Sequence, residues 1–280
     1  MLDTRTLDPP VTPEPRSAEG APGDAIAPSG RRPAGTEPET AGLLAGRSRG
    51  RRRPHLALSG LLVLLVVGGA VLAGSELATP AVARAPALVT AIDREHGTVP
   101  VPVEPSWRVA QAIVAAEDAG FYGNPGIDVG GLVRALWGWV TGVDEGGSTI
   151  TEQLAKVIYT SGRTAITDRV AQVALALKLD GHFTKAAVLS MYLSAIYFGD
   201  GYWGVLAASE GYFGLPPGRL SWGQASLLAG LPQAPSLLDP LDHLAAARAR
   251  QSYVLERLVA TGVLTRAQAD AAAAQPLGLR

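Results

Sequence analysis

Gly146-Gly147-Ser148-Thr149-Ile150-Thr151-Glu152-Gln153-Leu154-Ala155-Lys156 is the stretch on which the reading of the fold turns. Two glycines permit a tight loop free of Cβ atoms. Ser148 and Thr149 are good helix N-caps, and Glu152 is placed to close a capping box with Thr149. A helix is therefore predicted from Thr151 onward, with Gln153 and Lys156 three residues apart on one face. Hydroxyls and free backbone N–H groups stand at the helix start, with an amide and an ammonium one turn further in. That is a candidate cradle for an anionic, phosphate-bearing ligand. An ordinary capped helix with a solvated lysine is the alternative.

Working outward, the apolar spacing is helical. Ser106 is a predicted N-cap, and Val109, Ala112, Ile113 and Ala116 recur at i, i+3, i+4 and i+7. This helix closes at Glu117-Asp118 before a loop punctuated by Gly120, Gly123, Pro125 and Gly126. Asp128 is placed to cap a helix through Leu132, Val133, Leu136 and Trp137. Further helices are predicted from Thr167-Asp168, from Thr184-Lys185 to Phe198, over 206–214, over 221–231, over 243–261 and over 265–274. No strand-length alternating run and no internal repeat interrupts them, so the domain is read as mainly α.

The N-terminal part has a different character. Residues 1–46 are rich in Pro, Gly, Ala and acidic residues without apolar periodicity, and such a segment cannot offset its ordering entropy. Arg47, Arg49, Arg51, Arg52 and Arg53 then precede Leu56 to Gly74, which carry no charge. Nineteen largely apolar residues span a hydrocarbon core at about 1.5 Å per residue, and the arginines before them set the N-terminus in the cytoplasm. The expected organisation is a disordered cytoplasmic tail over 1–54 and a transmembrane signal anchor over 55–75. An extended, Pro/Val-rich extracytoplasmic connector over 76–104 and the helical domain over 105–280 follow. A net charge of −1 over 280 residues gives no pointer to nucleic acid. With no cysteine, thiol catalysis and disulfides are excluded, and four scattered histidines show no zinc-ligand spacing. The aromatic spots, Tyr202/Trp203 among them, read as core packing.

Glu117 ends an apolar helix. Apolar surroundings disfavour a carboxylate's charged form, the setting of a general base, whereas a solvated helix end is the plainer alternative. Glu117-Asp118-x-x-Phe121, followed by Gly147-x-Thr149-Ile150-Thr151-x-Gln153-x-x-Lys156, resembles glycosyltransferase family 51, the peptidoglycan glycosyltransferases. Leu179-Asp180-x-x-Phe183-Thr184-Lys185, Tyr197-Phe198-Gly199, Gly211-Tyr212-Phe213-Gly214 and Ala225 to Leu231 follow in the same order, so the resemblance runs from about residue 90 to the C-terminus. It implies a lysozyme-like helical glycosyltransferase domain behind a single anchor, similar to the monofunctional form because these residues leave no room for a transpeptidase domain. It further implies polymerisation of lipid II, at the outer face of the cytoplasmic membrane, with inversion and release of undecaprenyl pyrophosphate. The growing glycan strand, transpeptidases and other cell-wall synthesis proteins are the implied partners, and a divalent cation such as Mg2+ is the one candidate cofactor.

Residue by residue, the resemblance makes Glu117 the general base and puts Asp118, Phe121, Asn124, Ser148, Thr149, Gln153, Lys156 and Arg169 at the substrate. Where the family has a second catalytic glutamate, this chain has Gln172, and Asp168-Arg169 stands for its basic pair. Asn124 replaces a histidine, Ser190 and Ser194 replace a glutamate and an asparagine, and Leu206 and Glu210 stand where Glu and Arg are usual. These departures motivate an alternative reading, a catalytically impaired relative that binds lipid II or nascent glycan as a scaffold. A lytic, glycan-cleaving enzyme fits less well, because cleavage does not need a pyrophosphate cradle.

Overall fold

The computed structural model describes residues 68–69, 74–75, 77–128, 130–131 and 147–280. The tail, nearly all of the anchor span and the helix expected through Leu132 to Trp137 lie outside the described residues. Among the described residues no helix is long and apolar enough to cross a membrane.

The described residues form nine α-helices and no strand. We number them α1 (Ala85–Glu95), α2 (Arg108–Glu117), α3 (Ile150–Thr160), α4 (Ile166–His182) and α5 (Lys185–Ala195). Then come α6 (Gly204–Phe213), α7 (Trp222–Gly230), α8 (Leu244–Ala260) and α9 (Arg266–Ala273). The N-cap of α2 is Trp107, one residue beyond the predicted Ser106, and it makes no side-chain cap. A second correction concerns the connector, because α1 lies within it. Pro86 sits in the first turn, where its missing N–H costs nothing, and Ala85 and Val89 are buried as α1 packs on α3 and α5. The packed unit therefore begins before residue 105.

Two helices form its centre. In α2, Val109, Ala110 and Ala112 through Ala115 are all buried, and α7 is buried at Gly223 and from Ala225 through Gly230. They pack on each other, and α8 covers both. Such all-round burial explains the continuous apolar sequence of both helices. Gly230 has a specific role there: a Cβ on it would lie 2.8 Å from Arg250 Cγ, so only glycine lets the arginine stem of α8 cross α7.

The second layer, α3 with α4 and α5, is joined to α2 through the loop after Glu117. Asp118 is buried, and its carboxylate accepts from Asn124 Nδ2 (3.0 and 3.1 Å) and from the backbone N–H of Ile150 at the start of α3 (3.2 Å). Thr149 carries the predicted capping box. Its Oγ1 accepts from Glu152 N at 3.1 Å, and its own N–H donates to Glu152 Oε2 at 2.8 Å. The same hydroxyl donates to Gly126 O at 2.6 Å, tying the loop to the cap. Gly126 has φ +89°, and a Cβ there would lie 2.6 Å from Ala176 O, so the loop can press against α4 only with glycine at this position.

The join has an electrostatic cost. Burial pushes both Asp118 and Glu152 above the ordinary carboxylate range, and their hydrogen bonds offset this only in part. A raised folded-state value means the folded protein binds these protons more tightly. Stability contributed by the protonated form is present in acid and lost as pH rises through the folded value. Glu152→Gln keeps an acceptor oxygen for the cap and removes the buried charge. Its melting temperature is predicted to exceed the parent's at about pH 8, with the gap closing towards about pH 4. A gap that widens in acid would show the sign to be wrong.

Candidate functional site

The helix ends and loops just described enclose a cleft of about 680 Å³ whose lining includes Glu117, Ser148, Gln153, Lys156 and Gln172. Glu117 is the last residue of α2, where the chain leaves the helix at Asp118 (φ −155°, ψ 78°). Its side chain is only 12% exposed. Gln153 Nε2 donates to Glu117 Oε2 at 2.8 Å, and Arg250 Nη2 approaches Oε1 at 3.4 Å. The plain apolar setting read from the sequence is thus corrected: two donors converge on this carboxylate.

What orients those donors lies one contact further away. Tyr192 is fully buried on α5, and its hydroxyl donates to Gln153 Oε1 at 2.7 Å. Burial first, and the charge of Glu117 second, push that phenol well above its ordinary value, so it stays a donor. A donor on Gln153 Oε1 leaves Nε2 to face Glu117, which fixes the direction of the amide. Arg250 is held on the other side by the ring of Tyr253, 4.3 Å from its guanidinium carbon. The order Tyr192–Gln153–Glu117–Arg250 therefore draws one carboxylate into a chain of four side chains from α5, α3, α2 and α8.

Lys156 lies one turn along α3 from Gln153 and lines the cleft half-buried, and its ammonium has no hydrogen bond or ion pair among the described residues. Exposed Ser148 lines it too. Of the predicted cradle, Ser148, Gln153 and Lys156 line the cleft, the Gln153 amide being engaged by Glu117 and Tyr192. Thr149 does not share in it as read, because its hydroxyl is buried and spent on Glu152 and Gly126.

Asp118, Phe121 and Asn124 are likewise placed behind the cleft. Phe121 is fully buried under Lys185, whose Nζ is 4.8 Å from the ring centroid. Asn124 bonds Asp118, and it accepts from Gly126 N (3.0 Å) and from Lys185 Nζ at both its backbone and side-chain oxygens. Arg169 is exposed on α4 and does not line the cleft. Gln172 does line it, yet its amide donates to Thr160 Oγ1 (2.7 Å) and Arg163 O (2.9 Å), holding the turn between α3 and α4. The sequence reading missed Arg250 altogether. Its only signal is an arginine on the covered side of an amphipathic helix, which no spacing rule connects to residue 117.

Among the described residues the side chains around Glu117 do not form a divalent-cation site. Both oxygens of Glu117 and the cap-facing oxygen of Glu152 are already bonded, and the described residues contain no group of three or more metal-ligating side chains.

Comparison with known proteins places the chain in a family. The transglycosylase family model matches residues 87–259. A Cupriavidus necator protein assigned as a transglycosylase is 37% identical over 223 residues, covering 79% of this chain and 96% of that protein. Penicillin-binding protein 1A of Neisseria flavescens is 38% identical over 168 residues, 59% of this chain and 21% of its own length. Penicillin-binding protein 2a of Streptococcus pneumoniae is 37% identical over 183 residues, 65% of this chain and 25% of its own. The chain thus spans a quarter or less of these two penicillin-binding proteins and nearly all of the C. necator relative. It belongs to the transglycosylase family, the peptidoglycan glycosyltransferases of glycosyltransferase family 51.

Proposed function

We propose that this protein polymerises lipid II into glycan strands at the outer face of the cytoplasmic membrane, held there by the apolar span Leu56 to Gly74. The observation that carries the reading is that one cleft holds both a carboxylate gripped by oriented donors and an ammonium that no described residue pairs. Glu117 takes the proton of the acceptor sugar's 4-hydroxyl as that oxygen attacks the anomeric carbon of the donor chain. The bond from that carbon to the pyrophosphate oxygen breaks on the opposite face, so the configuration inverts. The leaving undecaprenyl pyrophosphate carries the electron pair away and gathers negative charge. Lys156 and the Ser148 hydroxyl are preorganised donors for it, and such donors act most strongly where water is excluded.

The substitution at Gln172 does not by itself argue for a non-catalytic scaffold. Its amide donates two hydrogen bonds that a carboxylate could not donate, and Thr160 Oγ1 already gives its proton to Lys156 O (2.9 Å). Ser190, another departure, also carries bonds. Ser190 Oγ accepts from Val103 N and donates to Val101 O, both at 3.2 Å, fixing the 101–103 segment to α5. Gln172 and Ser190 are therefore integrated into the packing.

The deciding experiment is lipid II polymerisation by the detergent-solubilised full chain beside Glu117→Gln. The parent is expected to make glycan chains and the variant to be slower by about 10²- to 10⁴-fold. Silence of both, with lipid II still bound, would replace catalysis by the scaffold reading. A separate expectation concerns Gln172→Glu. Losing both donors to buried acceptors should lower stability by about 1–3 kcal/mol in denaturant unfolding, with no gain in polymerisation rate. A faster and equally stable variant would show Gln172 to be a decayed catalytic position.

A further inference from the structure

Part of the cleft lining takes no part in the proton or leaving-group chemistry. His96, Tyr197 and Trp203 line the same cleft as Glu117 and Lys156. Read from the sequence, Trp203 is core, but in the structure it is only partly buried, and His96 is exposed. The imidazole lies flat on the indole, with ring centroids 4.0 Å apart and planes 3° from parallel. Tyr197 packs against the same indole at 5.1 Å, tilted by 38°.

The indole is rigidly mounted. Tyr197 and Trp203 pair in an antiparallel bridge, Phe198 N donates to Tyr202 O at 2.9 Å, and Gly204 N donates to Ile196 O at 2.8 Å. Gly201 N closes the intervening turn by donating to the Tyr197 hydroxyl at 3.1 Å. His96 arrives from another element, as the residue that ends α1. One ring is thus fixed, and a second, water-exposed ring is stacked on it from across the fold. Stacking uses one face of the imidazole and leaves the other for whatever enters the cleft.

An aromatic face in a polar cleft suits a particular chemistry. A pyranose whose substituents are all equatorial shows a patch of axial C–H groups on each face, and such patches pack on π faces while the hydroxyls bond at the rim. We propose that the His96–Trp203 stack is a saccharide platform, taking the C–H face of one N-acetylated pyranose of the glycan substrate in the cleft that holds Glu117. This rests on the polymerase reading and deepens it by naming where a sugar ring lies. The contact is made to a ring that does not change in the reaction. It therefore strengthens ground-state and transition-state binding alike and shows in KM more than in kcat.

The test is titration NMR of the detergent-solubilised full chain with a lipid-free oligosaccharide of alternating GlcNAc and MurNAc, run beside lipid II kinetics. His96→Ala, at an exposed position, is expected to weaken saccharide binding about three- to tenfold and to raise KM by a similar factor, with kcat within about twofold. His96→Phe, which keeps a flat ring, is expected to restore both. Parent affinity and parent KM in His96→Ala would overturn the platform and leave the polymerase reading standing, as would a melting temperature that falls with no change in affinity. A parent that binds the saccharide through His96 but makes no glycan would support the platform and sink the polymerase reading. No saccharide binding by the parent would overturn the platform outright.

Discussion

The structure depends on one buried carboxylate that is not itself in the cleft. Asp118 ends the central helix α2 and, through the N–H of Ile150, holds the first residue of α3. Asn124 grips the same carboxylate, and the Thr149 hydroxyl ties the loop to the helix cap. An ionisable group is expensive to bury, and burial indeed pushes Asp118 upward. The cost is tolerated because helix N-terminal N–H groups are otherwise unsatisfied donors that favour an anion. The result is geometric: Glu117, one residue before the anchor point, is brought beside Gln153, one turn into α3. A cleft-facing carboxylate is positioned by its buried neighbour.

The same economy explains why so many residues read from the sequence as substrate contacts turn away from the cleft. Thr149, Asp118, Asn124 and Phe121 build the frame in which a smaller set, Glu117, Gln153, Lys156 and Ser148, lines the cleft. Tyr192 shows how far this goes. It is completely buried, yet its one polar atom decides which way the Gln153 amide points. Positioning residues outnumber reacting ones because a base must be held to within a fraction of an ångström, and each side chain that does so needs its own support.

Much of this was legible in the sequence. The capping box at Thr149 and Glu152 could be read because it depends on spacing within one turn, as could the Thr184 and Ser221 caps. The glycine stop after α6 could be read because Gly214 adopts the left-handed conformation that few other residues accept. Helix α1 was hidden, since prolines at 80 and 86 suggest an extended chain until one sees Pro86 in a first turn. Arg250 and the His96–Trp203 stack were not legible at all. Each joins residues more than a hundred positions apart, and nothing in local periodicity marks such a meeting.

In the proposed reaction Gln153 acts only through Glu117, whose carboxylate its amide holds. A double-mutant cycle on kcat with lipid II, combining Gln153→Ala with Glu117→Gln, tests it directly. Residues that act as one unit are grossly non-additive. The account predicts that Gln153→Ala alone slows turnover about 10- to 100-fold and slows the Glu117→Gln enzyme no further. Independent, multiplying losses would contradict it and give Gln153 a role of its own.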